Sequence, residues 1–360
     1  MSAWKYKRLT PKVIVSRLRL IDHRDIVKLC NKKLEDASSM LMKTPYRPEI
    51  VGISSQQLDS ASFEKALVKN FIRTCNEVIE CSPSDVRSLL LAILMKFEVS
   101  NVKTMLRAKE AGASVDQAMG FVTSAGKLDD AACRKILEDS NSVEELVDAL
   151  ADFEYGAALK EALSEYEESE TIRALEVALD RFVYGRVWKA TARLKGLDGK
   201  IARAVLGVEI DSTNVRIVLR CKTMRVSENQ TRSYLVASSD AFAENDWEDA
   251  IRAADVKSAL GVLLGAARRA FARDQLYMLT DIVREYESSR SLSQLEMVLD
   301  RSLLGISLRM LKRYTAFFNI GAVLAFLNLK WFEVRNLRAI VHGIESRIPP
   351  DRITKMLILP

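Results

Sequence analysis

The chain contains the stretch Leu175-Glu176-Val177-Ala178-Leu179-Asp180-Arg181, which returns almost unchanged as Leu295-Glu296-Met297-Val298-Leu299-Asp300-Arg301. A degraded copy lies earlier, as Phe63-Glu64-Lys65-Ala66-Leu67-Val68-Lys69, with Val68 in place of the aspartate. In each copy two large apolar residues lie four positions apart, which puts them on one face of a helix. This first motif therefore predicts a core helix that occurs three times.

A second motif follows each copy of the first and reads acidic-x-x-Asn-aliphatic-basic. Its copies are Glu98-Val99-Ser100-Asn101-Val102-Lys103, Asp211-Ser212-Thr213-Asn214-Val215-Arg216 and Glu333-Val334-Arg335-Asn336-Leu337-Arg338. The first-motif glutamate and the asparagine are 37, 38 and 40 residues apart in the three copies (101−64, 214−176, 336−296). Successive asparagines are 113 and 122 residues apart (214−101, 336−214). Solenoid repeats are shorter, roughly 20 to 50 residues, so the repeated unit has the size of a small domain.

Composition and local patterns favour helices throughout the chain. Glycine (14) and proline (7) are scarce in 360 residues, and no Asn-Gly or Asp-Gly lies between alternating apolar runs. Ser82-Pro83-Ser84-Asp85 predicts a helix start, and an apolar stripe at helical spacing follows Ser142, with Val143, Leu146, Val147 and Leu150. We predict an all-α fold of three similar helical domains, residues 1–120, 121–242 and 243–360, related by pseudo-threefold symmetry.

Cysteine content and hydropathy favour a soluble cytoplasmic protein, and the mildly basic charge is of a kind that many ordinary proteins carry. The formal charge is +6, and the five cysteines include no C-x-x-C pair, which is typical of a reducing compartment. No signal-peptide pattern opens the chain. The longest uncharged stretch, residues 314–329, is 16 residues long and falls short of the roughly 20 that a membrane span needs. We expect a buried core helix there.

The polar residues of both motifs have a structural interpretation. In the second motif the acid and the asparagine lie one helical turn apart, so the acid is predicted to cap a helix N-terminus. In the first motif the adjacent aspartate and arginine should diverge and not pair with each other. The predicted structural residues are Glu64, Glu176, Asp180, Arg181, Glu296, Asp300, Arg301, Glu98, Asn101, Asp211, Asn214, Glu333 and Asn336.

Catalysis by these repeated carboxylates is the sharper alternative, because paired acids can perform acid–base chemistry. A single active site does not need three copies of an acid, however, whereas a repeated fold does. The chain has only two histidines, His23 and His342, and lacks phosphate-loop, nucleophile-elbow and nucleic-acid-binding motifs. His342 is interpreted as a packed or snorkelling residue. We predict no catalytic, cofactor-binding or metal-binding residue, no nucleic-acid partner and no small-molecule substrate.

The residues that carry a family resemblance lie mainly near the C-terminus. Ala325-Phe326-Leu327-Asn328-Leu329-Lys330-Trp331-Phe332-Glu333-Val334-Arg335-Asn336-Leu337-Arg338-Ala339-Ile340 resembles the C subunit of A-type (archaeal and bacterial V/A-type) ATP synthases, the homologue of the d subunit of the vacuolar ATPase. Ile348-Pro349-Pro350-Asp351-Arg352-Ile353 and Thr44-Pro45-Tyr46 are similar to the same family. The sequence departs from the family pattern at residues 207–211 and in the degraded first motif. The resemblance covers essentially the whole chain.

The resemblance implies a mechanical function and no enzymatic activity of the chain itself. It implies a funnel of three helical domains that lies on the membrane rotor ring of proteolipid subunits and receives the D and F subunits of the central axle. The protein would then lie peripherally at the cytoplasmic face of the cell membrane, transmitting torque between ion flow and ATP synthesis or hydrolysis. The alternative is an unrelated helical scaffold or adaptor that binds another protein in a central groove.

Overall fold

A computed structural model describes residues 2–53, 58–169, 171–313 and 318–359. Within these ranges the regular structure is entirely α-helical and contains no β-strand; a single isolated bridge joins Ala125 and Leu128. The all-α prediction is confirmed. Among the described residues, none of the helices is both long enough and apolar enough to cross a membrane.

The helices are short in some regions and more than twenty residues long in others. In chain order they are α1 Ser2–Lys5, α2 Leu9–Leu18, α3 His23–Leu29, α4 Leu34–Leu41, α5 Arg47–Ile50, α6 Ser60–Glu80, α7 Ser84–Glu110, α8 Val115–Gly120, α9 Asp130–Asp139, α10 Val143–Ala149, α11 Gly156–Ser169, α12 Arg173–Thr191, α13 Gly196–Met224, α14 Glu228–Tyr234, α15 Glu244–Arg252, α16 Val256–Arg269, α17 Arg273–Ser289, α18 Leu292–Arg313, α19 Ile320–Glu345 and α20 Pro350–Met356.

The two motifs occupy consecutive long helices in every repeat. The first motif lies on α6, α12 and α18, and the second lies on α7, α13 and α19. Each long pair follows a series of shorter helices, such as α9 to α11 before α12 and α15 to α17 before α18. The repeat inferred from the sequence is therefore also a repeat of helix order.

The chain divides into two compact units. Residues 6–183 and 330–357 form one, and residues 184–329 with both chain ends form the other. The boundaries fall inside α12 and α19, so each of these helices contributes residues to both units. The three sequence domains, 1–120, 121–242 and 243–360, remain a prediction.

The apolar positions of the first motif are buried, as the sequence predicts. Leu175, Leu179 and Leu299 have no exposed surface, and Leu295 is 2% exposed. In the degraded copy, Phe63 and Leu67 are equally inaccessible. Burying side chains of this size stabilises a protein by about 1.5–3 kcal/mol each, which explains why the apolar positions are retained where Val68 has replaced the aspartate.

The predicted helix starts agree closely with the structure. Helix α7 begins at Ser84, so Pro83 lies at the N-cap and not at the first helical position. Helix α10 begins after Ser142, whose hydroxyl accepts a hydrogen bond from the Glu145 backbone N–H. The predicted core helix over residues 314–329 begins later, at Ile320. Residues 314–317 lie outside the described part of the chain.

Candidate structural site: the repeated polar junctions

Three polar junctions link second-motif helices to first-motif helices. We define a junction as the contact of α7 with α12, of α13 with α18, or of α19 with α6. At the first, Arg107 Nε lies 2.6 Å from Glu176 Oε1, and Lys103 Nζ lies 2.6 Å from Asp180 Oδ1. The basic residues are four apart, as are the acids, so both pairs align along two neighbouring helices.

The second junction repeats this arrangement within residues 184–329. Arg220 makes a bidentate pair with Glu296, with Nε–Oε1 and Nη2–Oε2 distances of 2.5 and 2.9 Å. Arg216 Nη2 lies 3.0 Å from Asp300 Oδ1, and the Asp300 side chain is only 9% exposed. Lys103 and Arg216 are the terminal basic residues of the second motif, while Arg107 and Arg220 lie one turn further along their helices.

The third junction shows how the degraded motif is accommodated. Val68 stands at the position of the missing aspartate, and Arg338 pairs with Glu64 instead. His342 occupies the place of Arg107 and Arg220, with its Nε2 2.7 Å from Glu64 Oε2. Of the two predicted interpretations of His342, the packed one is wrong, because its ring is half-exposed; the ring nitrogen reaches an acid of another helix, as a snorkelling side chain can.

The acids of the second motif lie in the middle of long helices, so the prediction that they cap helix N-termini is wrong. Glu98 belongs to α7, which begins at Ser84, and Asp211 belongs to α13, which begins at Gly196. Their side chains reach connections elsewhere in the chain. Glu98 Oε2 accepts a hydrogen bond from the Lys127 backbone N–H at 2.7 Å, just before α9.

The other two acids are held in related ways. Asp211 Oδ2 accepts from Ser239 Oγ at 2.8 Å and from Gln275 Nε2 at 2.9 Å. Glu333 Oε2 accepts from the Ile21 backbone N–H at 2.5 Å, just before α3. In every repeat the acid of the second motif thus binds a connection that precedes a later or earlier helix: the one before α9, α15 or α3.

The asparagines of the second motif bind backbone groups on both sides. Asn101 donates from Nδ2 to the Thr123 carbonyl at 2.7 Å and accepts from the Thr123 N–H at 3.2 Å. Asn214 donates to the Ala237 carbonyl at 3.2 Å and accepts from the Val236 N–H at 2.9 Å. An amide side chain has both a donor and an acceptor, so it can bind a buried backbone carbonyl and a buried backbone N–H at once. An ionised carboxylate has no donor and cannot do this. Asn336 is also buried.

A lysine eight residues beyond the asparagine adds a further repeated contact. Lys109 Nζ donates to the carbonyls of Leu137 and Ser140 at the end of α9. Lys222 binds the carbonyls of Ile251 and Ala253 at the end of α15. Cations at a helix C-terminus satisfy its free carbonyls and complement its dipole.

Burial changes the acid–base properties of these groups. Loss of water raises the pKa of Asp211 to about 7, against the opposing hydrogen bonds from Gln275 and Ser239. Its Oδ1 accepts no hydrogen bond from any residue that the structure describes. Burial also raises the pKa of Glu98. The nearby Tyr155, itself buried, has its pKa raised by burial and by the charge of Glu98.

The corresponding cluster around Glu333 contains a buried lysine. Lys330 Nζ lies 2.8 Å from Glu333 Oε1 and 3.7 Å from the centre of the Tyr46 ring. Tyr46 donates its hydroxyl proton to the same carboxylate oxygen at 2.8 Å. Burial lowers the pKa of Lys330, and the adjacent Glu333 opposes that change. Tyr46, Tyr155 and Gln275 thus occupy corresponding places beside the three acids.

The arrangement of these acids is suited to fastening helices. Glu98, Asp211 and Glu333 are at most 5% exposed, and all three already accept hydrogen bonds. Buried polar groups that are hydrogen-bonded within the protein hold packed helices and connections together. No cluster of three or more metal-ligating side chains occurs among the residues that the structure describes.

The remaining motif residues lie at the surface or beside their partners. Arg181 and Arg301 are exposed, while the neighbouring Asp180 and Asp300 pair with residues of other helices. Several residues that contact the motifs were not singled out from the sequence: Arg107 and Arg220 at the junctions, Tyr46, Tyr155 and Gln275 beside the second-motif acids, and Lys109 and Lys222 at the ends of α9 and α15. Arg107 and Arg220 share a fixed offset from their asparagines, a signal that the repeat contains.

The comparison with known proteins agrees with the extent of the repeats. The sequence profile described as ATP synthase (C/AC39) subunit matches residues 9–356. The chain is 26% identical over 354 residues to the C subunit of the A-type ATP synthase of Methanocaldococcus jannaschii, covering 98% of this chain and 86% of the relative.

Two further relatives carry the same name. The C subunit of the A-type ATP synthase of Methanothermobacter thermautotrophicus is 28% identical, covering 84% of this chain and 76% of the relative. That of Haloferax volcanii is 25% identical, covering 97% of both chains. Because the family profile spans nearly the whole sequence, the chain belongs to the ATP synthase (C/AC39) subunit family.

Proposed function

We propose that this protein is a non-catalytic central-rotor subunit of an A/V-type rotary ATP synthase. It couples the membrane rotor ring to the central axle, so that ion flow drives ATP synthesis or ATP hydrolysis drives ion flow. The family match over residues 9–356 carries the proposal. The polar contacts of the two motifs support it, because they connect helices of the protein to one another.

A coupling protein must transmit torque without deforming, and the buried contacts of the second-motif asparagines suit that requirement. Asn101 and Asn214 each hold a buried connection through both of its backbone groups. Helices packed at interior density deform little under load, and buried hydrogen-bond networks add rigidity. We infer that the motif residues have a structural function in this protein.

The order in which the repeats contact one another through their motifs supports three domains arranged with pseudo-threefold symmetry. The second motif of the first repeat meets the first motif of the second, at Arg107 and Glu176. The second repeat meets the third at Arg220 and Glu296, and the third meets the first at His342 and Glu64. A cyclic order of this kind is expected of three similar units that close on themselves. The funnel form remains part of the proposal.

We propose the D and F subunits of the axle and the proteolipid ring as partners, with the protein bound peripherally at the cytoplasmic face of the membrane. The helices of the described residues support a peripheral position, since none meets the requirements of a membrane span. The large apolar side chains left exposed can take part in protein–protein contacts.

Native mass spectrometry of the purified protein with the D–F axle pair of the same organism tests the proposed partnership. We expect a stable complex with one copy of each chain. Each component is first shown to be folded by circular dichroism, so that a negative result is informative. If the folded components do not associate, the proposal fails and the unrelated helical scaffold becomes the better account.

A further inference from the structure

The turn between α16 and α17 exposes an aromatic ring in an unusual backbone conformation. Phe271 has φ of 51°, in the left-handed region, and its side chain is 92% exposed. Ala272 N–H bonds the Ala267 carbonyl at 3.0 Å, so α16 ends in a Schellman motif with Phe271 at the position that glycine usually occupies. At the end of α7, Gly112 takes this position, with φ of 62°.

Stability of the fold does not account for a phenylalanine at this place. A bulky residue in the left-handed region is strained by roughly 1–2 kcal/mol relative to glycine and the exposed ring recovers none of this by burial. Strained residues of this kind are concentrated at functional positions. The other non-glycine residues with positive φ among the described residues are all arginines: Arg225, Arg290 and Arg347.

Cationic residues flank Phe271 along the chain. Arg268, Arg269 and Arg273 lie within three residues of it, and all three are exposed. Of these, Arg269 pairs with Asp246 at 2.7 Å. Arg273 also lines an open groove between α17 and α18 whose other lining residues are Asp274, Tyr277, Asp281, Arg309, Met310, Lys312 and Arg313. Cationic residues therefore outnumber the aspartates across this surface.

Tyr277 supplies an exposed aromatic ring to the groove. Its side chain is 51% exposed, and the guanidinium groups of Arg273 and Arg309 lie 5.9 and 5.8 Å from the ring centre. Arg309 also binds Asp274 at 2.9 Å. Aromatic rings with cations around them are typical of surfaces that bind at the membrane–water boundary.

The corresponding turn of the second repeat has a different character. Tyr155 and Gln275 lie beside the second-motif acids Glu98 and Asp211, so they occupy corresponding places in the two repeats. Residues 150–155, which lead to Tyr155, therefore correspond to the α16–α17 turn, which leads to Gln275. There Phe153 is partly buried and stacks on Tyr155 with ring centres 5.6 Å apart. Its neighbours Asp152 and Glu154 are acidic and exposed. The exposed ring and its cationic neighbours thus distinguish this turn from the corresponding turn of the second repeat.

We propose that the α16–α17 turn binds an anionic lipid surface. Phe271 inserts its ring at the boundary between headgroups and acyl chains, and Arg268, Arg269 and Arg273 bind the lipid phosphates. The Phe271 ring is almost fully exposed and does not line the groove between α17 and α18, so it suits a fluid lipid surface better than a shape-complementary protein pocket. Basic residues next to an anionic leaflet supply the attraction. The inference does not depend on the proposed coupling function.

Flotation of the full chain with vesicles tests this site. Vesicles of phosphatidylcholine alone are compared with vesicles that also contain phosphatidylglycerol, and the bound fraction is measured for wild type and Phe271→Gly. We expect binding to the anionic vesicles only, weakened by salt, and a decrease of about tenfold in partitioning for the variant. The Tm of Phe271→Gly should rise, because glycine relieves the backbone strain.

Two control variants test whether relief of backbone strain, or the loss of any exposed aromatic ring, is enough to weaken vesicle binding. Arg290→Gly relieves the same φ of 51° elsewhere, and Phe121→Ala removes a ring that is 71% exposed at the end of α8. Both should retain vesicle binding to within about twofold. The proposal is overturned if wild type binds neutral vesicles equally, if it binds neither kind, or if Phe271→Gly binds as wild type does. The proposal would also be contradicted if Phe271→Gly lost binding to an acidic protein partner but bound anionic vesicles as wild type does.

Discussion

Asp211 has a carboxyl group with no exposed surface and a pKa raised by burial to about 7. In the unfolded chain the pKa of an aspartate is about 3.9. Between pH 4 and pH 7, therefore, Asp211 is protonated in the folded state and largely ionised in the unfolded state. The free energy of unfolding must therefore fall as pH rises through this interval. Below the unfolded pKa both states are protonated, and the effect disappears.

We predict that Asp211→Asn removes this pH dependence. The free energy of unfolding of wild type minus that of the variant should decrease by about 2–4 kcal/mol between pH 4.5 and pH 8. Denaturant titrations at several pH values measure it. Asp249→Asn changes an exposed aspartate of the same unit and serves as the control. A difference that stays constant with pH would show that Asp211 is ionised throughout.

Gly126 illustrates a constraint that one residue imposes on another. Its φ is +61°, and a Cβ there would lie 1.8 Å from Glu98 Oε2, the atom that binds the Lys127 backbone N–H. Gly112 has almost the same φ, +62°, but a Cβ there would meet no atom within 4 Å. The two glycines therefore separate backbone strain from the close approach of the carboxylate.

We predict that Gly112→Ala costs about 1 kcal/mol of stability and Gly126→Ala about 2–4 kcal/mol. The excess arises because the alanine methyl group displaces Glu98 from the connection. In a Glu98→Ala background the cost of Gly126→Ala should fall to that of Gly112→Ala, as a double-mutant cycle would show. Equal costs for both glycines in the wild-type background would refute the contact with Glu98.

At the scale of helices, the junctions predict different coupling energies for similar ion pairs. Glu296 makes two hydrogen bonds to Arg220, whereas Glu176 makes one to Arg107. Both arginines are more than half-exposed, so each pair should contribute at most about 1 kcal/mol. We predict that Glu176→Ala and Glu296→Ala each lower Tm slightly.

Double-mutant cycles with Arg107→Ala and Arg220→Ala measure the coupling free energies directly. The Glu296–Arg220 value should exceed the Glu176–Arg107 value, because bidentate pairing is stronger, and both should shrink in 1 M salt. An unchanged Tm for both glutamate variants, with zero coupling, would count against a structural function of these acids.

The helices themselves could be predicted from local patterns, but the contacts between them could not. Leucines four residues apart, as in Leu175 and Leu179, indicate a buried helix face whatever lies opposite. The partner of Glu176, by contrast, is Arg107, 69 residues earlier, and nothing in either local pattern selects it. The capping prediction failed for Glu98 because α7 begins fourteen positions before it, at Ser84, and continues past it without an interruption.

At the scale of the whole molecule, the family match and the junctions bear on different properties of the protein. Family membership across residues 9–356 identifies the class of complex, and the junctions show where the polar residues of the motifs are used. Under the proposed function, this protein contributes stiffness and interfaces to the complex, and the chemistry takes place on other chains. Removing it should therefore separate ATP hydrolysis from ion transport without abolishing hydrolysis.

The most direct test is to reconstitute the purified synthase of the same organism into vesicles with and without this chain. ATP hydrolysis and ATP-driven ion transport are then measured in parallel. We predict that omission leaves hydrolysis in place but abolishes transport, and that adding the chain back restores transport. Transport that continues without the chain, or hydrolysis that requires it, would contradict its assignment as a non-catalytic coupling protein.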